Sequence, residues 1–287
     1  MATPEHCLYC FDSLASKLDK SLTPLSLIEV QNSYAAYLTH LKDSSAASSS
    51  SSSKKIPALT RLARLADASS SSSSLASGAS SSSSTTTTTS LSTNTAATST
   101  TSTTREHVTD PDARYPLFVT WDIKARGGEW HLRGCIGTFS AESPLSECLA
   151  EYAVISALHD TRFNPVSQAE LPELKCAVTL LTNFEDCEAW DDWVVGEHGI
   201  KIRFKAKGRS YSGTYLPSVA AEQEWTKEET MLSLMRKAGW RGSQDSWREV
   251  ASDASMQVER YRGDKEEVEF AEYQQWREWV NENWNKA

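Results

Sequence analysis

No run of apolar residues in this 287-residue chain approaches the ~20 that a membrane-spanning helix needs. The opening MATPEHCLYCF lacks both the basic and the apolar stretch of a secretory signal. Positive charge is in short supply: 29 Lys and Arg stand against 38 Asp and Glu, a formal net charge of −9. Sequence-independent nucleic-acid binding needs a dense basic face, so the acidic charge does not support nucleic acid as a partner, although a small local basic patch stays open. The six cysteines, at 7, 10, 135, 148, 176 and 187, include no second Cys-x-x-Cys. Structural zinc takes four ligands with a second pair nearby, so His6, Cys7 and Cys10 make only half a site. Their helical spacing beside Phe11 and Leu14 favours packing thiols, and no metal or other cofactor is expected. In a chain of this length without a signal, the cysteines read as reduced thiols. These absences predict a soluble protein of the nucleus or cytoplasm, with no membrane contact and no indicated oligomeric state.

Ser and Thr are abundant, and in one place. From Ser44 to about Thr104 they dominate with Ala, as in SSSSTTTTTSLS. Such a stretch cannot bury enough apolar area to offset its ordering entropy, so residues 44–106 are expected to be a disordered insertion. It separates N-terminal helices over 1–43 from a main domain over 107–287. Within it, KKIPALTRLARLA (Lys54–Ala66) spaces Leu59, Leu62 and Leu65 three apart beside Arg61 and Arg64. That pattern suits a basic amphipathic helix docking on a partner, or a nuclear-import patch. A helix so short is marginal alone, which favours a residual helical turn.

EHCLYCFDSLASKL sets Leu8, Phe11, Leu14, Ala15 and Leu18 at helical spacing, and IEVQNSYAAYLTHL does the same with Tyr34, Tyr37, Leu38 and Leu41. Their apolar faces need a partner, and the main domain is the only large one. There, YPLFVTWDI and WHLRGCIGTF read as strands joined by a Gly-Gly hairpin. SPLSECLAEYAVISALHD reads as a helix with Ser143 as N-cap and Pro144 at its first position. LKCAVTLLTNF is a buried strand, and EHGIKIRFKAKGRSYSGTYLP a strand pair turning at Lys207-Gly208. TKEETMLSLMRKAGW is a helix with a Thr226–Glu229 capping box, stopped at Gly239. A strand, a break and a last amphipathic helix follow. Hairpins separated by single helices imply an α+β fold with a largely antiparallel sheet flanked by helices.

PLFVTW, LRGCIGTFSA, SALHDTRFNPV, ELPELKCAVTLLTNFED, VGEHGIKIRF, TYLPSVAAEQEW and RKAGW occur in this order. Together they resemble the AMMECR domain family, named from the Alport syndrome, midface hypoplasia and elliptocytosis chromosomal region. HCLYCFDSLASKL resembles the start of its eukaryotic members. The resemblance implies a larger and a smaller subdomain with a cleft between them. It assigns no established activity. Prokaryotic relatives fused or adjacent to Memo-like and radical S-adenosylmethionine proteins hint at an enzymatic pathway. Suggested links of eukaryotic members are to the nucleus and to transcription, translation or RNA processing.

Strand alternation in HLRGCIGTF places Arg133, Cys135 and Gly137 on one face, so the guanidinium is expected to favour the Cys135 thiolate. Gly134 and Gly137 admit another backbone or a ligand at close range. The helix starting near Ser143 is expected to offer free N–H groups to an anion or thiolate. The family pattern adds Asp160 and Arg162, with Phe163 and Pro165, in DTRFNP, and His198 in EHGI. Asp160 is expected to pair with Arg162 or Arg133, and His198 to serve as base to Cys135. Cys135, His198 and Asp160 are thus candidate catalytic residues, and Arg133, Gly134, Gly137 and Arg162 candidate substrate-binding residues. One reading is an enzyme whose cleft takes a small anionic or nucleotide-like substrate. The other is a non-catalytic adaptor gripping a peptide or nucleotide. Plainer readings stand beside each residue: a small buried cysteine, a structural Arg133–Asp160 pair, and a histidine capping the turn before Gly199. A nucleic-acid-clamping GxxG belongs between helices, whereas GCIG lies in a strand. Trp121, Trp190, Trp193, Trp225 and Trp240 read as core and seam residues.

Overall fold

Apolar residues alternate along LFVTWDIK, and β1 (Leu117–Lys124) accordingly buries Leu117, Val119 and Trp121 on one face. The computed structural model describes residues 1–47, 57, 58, 60, 61 and 110–284. In it β1 pairs with β2 (Trp130–Thr138) through a hairpin in which Gly128 takes φ +91°. Strands β3 (Leu174–Asp186), β4 (Gly199–Ala206), β5 (Arg209–Tyr215) and β6 (Gln257–Glu269) complete a six-stranded sheet. Its order is β2-β1-β3-β6-β4-β5, and every pairing is antiparallel. The helices are α1 (Pro4–Leu18), α2 (Leu27–Ala47), α3 (Leu145–Leu158), α4 (Pro217–Glu222), α5 (Lys227–Lys237), α6 (Trp247–Ala251) and α7 (Phe270–Trp279). The fold is the α+β arrangement expected from the sequence.

Met1–Tyr37 and Thr109–Ala287 form one compact unit, and Leu38–Val108 a second. In the first, α1, α3 and α7 cover one face of β1 and β3. Trp121, fully buried there, donates its indole N–H to Ala153 O of α3 at 3.0 Å. Its ring meets Phe11 of α1 edge-on at 4.9 Å, and Phe11 stacks on Tyr273 of α7 at 5.2 Å. Burying one such side chain is worth about 1.5–3 kcal/mol. Beneath these rings Asp12 pairs with Arg277 at 3.0 Å and accepts the Tyr273 hydroxyl at 3.1 Å. Arg277 also donates to Thr23 O, and Tyr34 of α2 donates to Glu272. The N-terminal and C-terminal helices are therefore bonded to each other as well as to the sheet. Cys7 and Cys10 are buried here, their thiols donating to Glu266 O and Leu149 O. His6 Nδ1 accepts the Thr3 N–H at the helix start, and burial lowers its pKa to about 4.

A second core lies under the other end of the sheet. Ile200, Ile202 and Phe204 of β4 pack there with Met231, Leu234 and Met235 of α5, joined by Trp193, Trp240 and Trp247. The tryptophans serve as core residues in both places.

In the second unit, helix α2 runs on to Ala47, past the expected start of the insertion at Ser44. Of Lys54–Ala66, residues 57, 58, 60 and 61 are helical. The remainder of the expected disordered insertion, residues 48–106, lies otherwise outside the described residues. No helix among the described residues is long and apolar enough to cross a membrane.

Candidate functional site

Sheet register sets one face of β1, β2, β3 and β6 apart from the apolar face under α1 and α3. Thr120 stands opposite Cys135 on one side and Ala177 on the other, and Ala177 opposite Glu267. Lys175 stands opposite Asp122, and its ammonium lies 3.4 Å from Asp122 and 3.0 Å from Glu267. Thiol, hydroxyl, carboxylate and ammonium groups therefore occupy a face where a two-sided core would carry Val and Ile. Phe139, just past β2, crosses this same face. Its ring lies 5.4 Å from Tyr261 of β6 and 5.2 Å from the Lys201 ammonium of β4. The face is thus concave, with β2 at one rim and the β5–α5 corner at the other.

Cys135 is half-buried, and its sulfur lies 3.2 Å from the Thr120 hydroxyl, which donates to it. Burial pushes the thiol pKa up; Thr120 and Arg162 pull it down, and Asp160 and Asp122 raise it again. The net direction is upward, so the thiol is protonated at neutral pH, contrary to the expected thiolate.

The cation near the thiol is Arg162, not Arg133. Trp121 pairs with Gly134 and Asp122 with Leu132, which leaves Arg133 as the extra residue of a β-bulge. The bulge breaks the alternation that would have aligned Arg133 with Cys135. The Arg133 guanidinium turns instead to Glu170 at 2.9 Å and to Asn164 O at 2.6 Å.

Asp160 and Arg162 act on the Cys135 backbone. Asp160 Oδ2 accepts the Cys135 N–H at 2.9 Å, and Arg162 Nη2 donates to Cys135 O at 3.1 Å. The two side chains are themselves joined by a fork, Nε to Oδ1 at 2.9 Å and Nη2 to Oδ2 at 2.6 Å. An edge residue of a sheet has one outward N–H and C=O pair unfilled; here the fork fills it. The Arg162 fork, outweighing burial and helped by the backbone N–H groups of Cys135 and Arg162, holds the Asp160 pKa at about 2.

The glycines serve packing. A Cβ on Gly134 would meet Ser156 O of α3 at 2.0 Å, and one on Gly137 would meet Leu117 O at 2.2 Å. Neighbouring backbone approaches both of them closely. Helix α3 also starts differently from the expectation. Its N-cap is Pro144, without a side-chain cap, and the N–H groups of Leu145 and Ser146 donate to Ala113 O and Pro111 O. The predicted anion site at this helix start is filled by the chain's own 111–113 turn. His198 sits in the turn before β4, its Nδ1 accepting the Val194 N–H at 3.0 Å. Its ring is not bonded to Cys135, whose side-chain partner is Thr120.

Two residues of this rim carry no local sequence signal. Thr120 is one of several β-formers in β1, and Lys237 is the last residue of α5. Lys237 donates to Thr214 O at 2.8 Å and lies 4.5 Å from the Tyr215 ring centroid. Packing lowers its pKa, with a further push from the charge of Arg162. Arg162 and Cys135 are thus the ionisable groups that act on it after burial. Only tertiary proximity reveals the pair.

The AMMECR1 family model matches residues 80–265, more than half of the chain. The chain belongs to the AMMECR1 family. An uncharacterised Arabidopsis thaliana protein is 50% identical over 133 residues, 46% of this chain and 62% of its own length. An uncharacterised Schizosaccharomyces pombe protein is 50% identical over 128 residues, 45% of this chain and 65% of its own. The chain thus spans somewhat less than two thirds of the length of these relatives. An uncharacterised Kluyveromyces lactis protein is 40% identical over 178 residues, 56% of this chain and 75% of its own. A crystal structure of an uncharacterised Pyrococcus horikoshii protein aligns with a TM-score of 0.47 and 30% identity, covering 55% of this chain and 76% of that one. The AMMECR1 match takes in the whole rim, from Thr120 through Asp160 and Arg162 to Lys237. It leaves out α1 and α7, which the core includes.

Proposed function

We propose that the concave face beside Cys135 binds a small anionic substrate, a carboxylate or a phosphate ester, between Arg162 and Lys237. One observation carries this reading: two cations converge there with donors to spare. Among the described residues Arg162 Nη1 has no partner, and Lys237 Nζ uses one acceptor, a backbone carbonyl, and no carboxylate. Burial, and after it the Arg162 charge, lowers the Lys237 pKa, so an anion between them relieves repulsion as well as gaining hydrogen bonds.

In this reading Cys135 is the reactive group and acts as a thiol. Its raised pKa and its hydroxyl neighbour suit proton donation better than thiolate attack. Asp160 is a positioning residue that fixes the Cys135 backbone through the Arg162 fork. His198 accepts the Val194 N–H and the Cys135 thiol accepts from Thr120, which favours a second reading, a non-catalytic binding protein using the same anion site.

Thermal shift with inorganic phosphate, pyrophosphate and citrate tests the anion site. Stabilisation is expected to be lost in Lys237→Ala and retained in Lys237→Arg; equal shifts in all three proteins overturn the site. Incubation of a small-molecule extract with the protein, read by mass spectrometry, separates the two readings. Depletion of one acidic compound by wild type but not by Cys135→Ser supports catalysis. Binding of the same compound by both proteins without depletion supports the adaptor.

A further inference from the structure

The sheet has two outer edges, and the fold treats them differently. At β2 the outward backbone groups of Cys135 are filled by Asp160 and Arg162. On β4, Ser255 takes over where β6 ends: its Oγ accepts the Lys205 N–H and donates to Lys205 O, each at 3.2 Å. At β5 the carbonyl of Thr214 is filled by Lys237. On β5 the stretch Ser210–Ser212 is left open among the described residues.

Lys207 and Gly208 take φ of +50° and +75°, a two-residue type I′ hairpin. The register pairs Ala206 with Arg209, Phe204 with Tyr211 and Ile202 with Gly213. In such a hairpin the residues flanking the loop exchange both ladder bonds, and the pattern alternates from there. The N–H and C=O groups of Ser210 and Ser212 therefore point outward. β5 has no neighbour on that side, and neither serine has a hydrogen-bond partner for those groups or for its hydroxyl among the described residues. Both are exposed, and they line a groove of about 470 Å³ with Arg203, Lys205, Ser255 and Gln257.

The hairpin's charge is the reverse of the protein's. Residues 199–215 contain Lys201, Arg203, Lys205, Lys207 and Arg209 and no Asp or Glu, in a chain of net charge −9. Lys201 pairs with Glu259. Arg203, Lys205, Lys207 and Arg209 are exposed and have no ion-pair partner among the described residues. Arg203 and Lys205 stand opposite Ser212 and Ser210, so short hydroxyl side chains separate the cations from the open edge.

We propose that the β5 edge at Ser210–Ser212 receives an extended acidic segment of a partner protein as an added strand. The open groups are an alternating set of donors and acceptors, which another peptide backbone completes on both counts. Nucleic-acid phosphates supply acceptors only and do not repeat the donor–acceptor alternation of a strand edge. A second copy of β5 would bring the same cations against these, a repulsive pairing of the kind that keeps edges apart. An acidic strand reverses that sign. Its alternate side chains repeat every ~6.8 Å, the same i to i+2 spacing that separates Arg203 from Lys205, and reach them over the two serines.

The test uses the full chain and a short blocked peptide of alternating glutamate and valine, with fluorescence anisotropy as the readout. The expected result is saturable binding that weakens about tenfold or more when the peptide's outward-pairing amides are N-methylated. The Arg203→Glu, Lys205→Glu double variant is expected to lose the acidic peptide and bind its lysine–valine counterpart instead. Both positions are exposed, so the variant keeps the fold, and its far-UV circular dichroism checks this. Protection of the Ser210 and Ser212 amides from hydrogen exchange in the complex completes the signature. Equal binding of methylated and unmethylated peptide, or tighter binding of oligouridylate than of peptide, overturns the proposal. So does a protein that binds none of them.

Discussion

The carboxylate of Asp160 accepts the backbone N–H of Cys135 at 2.9 Å, a bond that another strand would make if β2 were not at the edge. Arg162 holds that carboxylate ionised down to a pKa of about 2. The depressed pKa has a definite consequence for stability. The contribution is fully present above the unfolded carboxylate value near 3.9 and is lost as pH falls toward 2. Asp160→Asn is expected to destabilise the protein by about 2 kcal/mol at neutral pH. The gap from wild type should narrow steadily between about pH 5 and pH 2. Urea midpoints at several pH values measure it, and a gap independent of pH would refute the linkage.

Alkylation by iodoacetamide reports the state of the Cys135 thiol. Burial raises its pKa, so its rate should be low at pH 7 and climb with alkalinity. Cys7, Cys10 and Cys176 are fully buried and should label only after unfolding. Arg162→Ala removes a charge that favours the thiolate and should slow Cys135 further, whereas Arg133→Ala should leave the rate unchanged because its guanidinium lies at Glu170. Peptide-resolved mass spectrometry of the native protein distinguishes the cysteines.

Gly134→Ala should be severely destabilising. The added methyl would sit 2.0 Å from Ser156 O, and that oxygen belongs to helix backbone. Overpacking of this kind costs about 1–3 kcal/mol or more. Chemical denaturation measures the loss, and a variant as stable as wild type would mean that α3 moves away freely.

The span that matches the family model, residues 80–265, should not fold alone. It lacks α1 and α7, whose Phe11 and Tyr273 lie against Trp121 and each other, and it lacks both members of the Asp12–Arg277 pair. Within the full chain, Arg277→Ala strands a buried carboxylate and should cost about 3–5 kcal/mol. A cooperative thermal transition in the isolated span would contradict the first expectation. An unchanged urea midpoint in Arg277→Ala would contradict the second.

The sequence shows what neighbouring residues decide among themselves. The Thr226–Glu229 capping box forms, with Thr226 Oγ1 accepting the Glu229 N–H at 3.2 Å, because both halves lie within one turn. The Lys207-Gly208 turn forms because glycine and a left-handed neighbour suit it. The start of α3 was not legible in the same way. Ser143 is a good cap by type, but Pro111 and Ala113, thirty-odd residues earlier, supply the carbonyl acceptors. Arg133 shows the same limit. Nothing in HLRGCIGTF marks a bulge, which exists only in register with β1. The DTRFNP motif singled out Asp160 and Arg162, but their bonds to the Cys135 main chain are ones that no side-chain pattern can signal. Lys237 is a plain helix-terminal lysine until the fold sets it against Thr214 O and the Tyr215 ring.

Asp12 meets Tyr273 across 261 positions of chain, and Tyr34 meets Glu272 across 238. During synthesis α1 emerges from the ribosome long before its partners. At about 5–20 residues per second, the face carrying Leu8, Phe11 and Leu14 waits roughly ten to fifty seconds for α7. Throughout that interval an amphipathic helix destined for complete enclosure is open to water and to other nascent chains. The hydrogen bonds that join α1 and α2 to α7 cannot form until α7 has been made, so the N-terminal face stays unsheltered through most of synthesis.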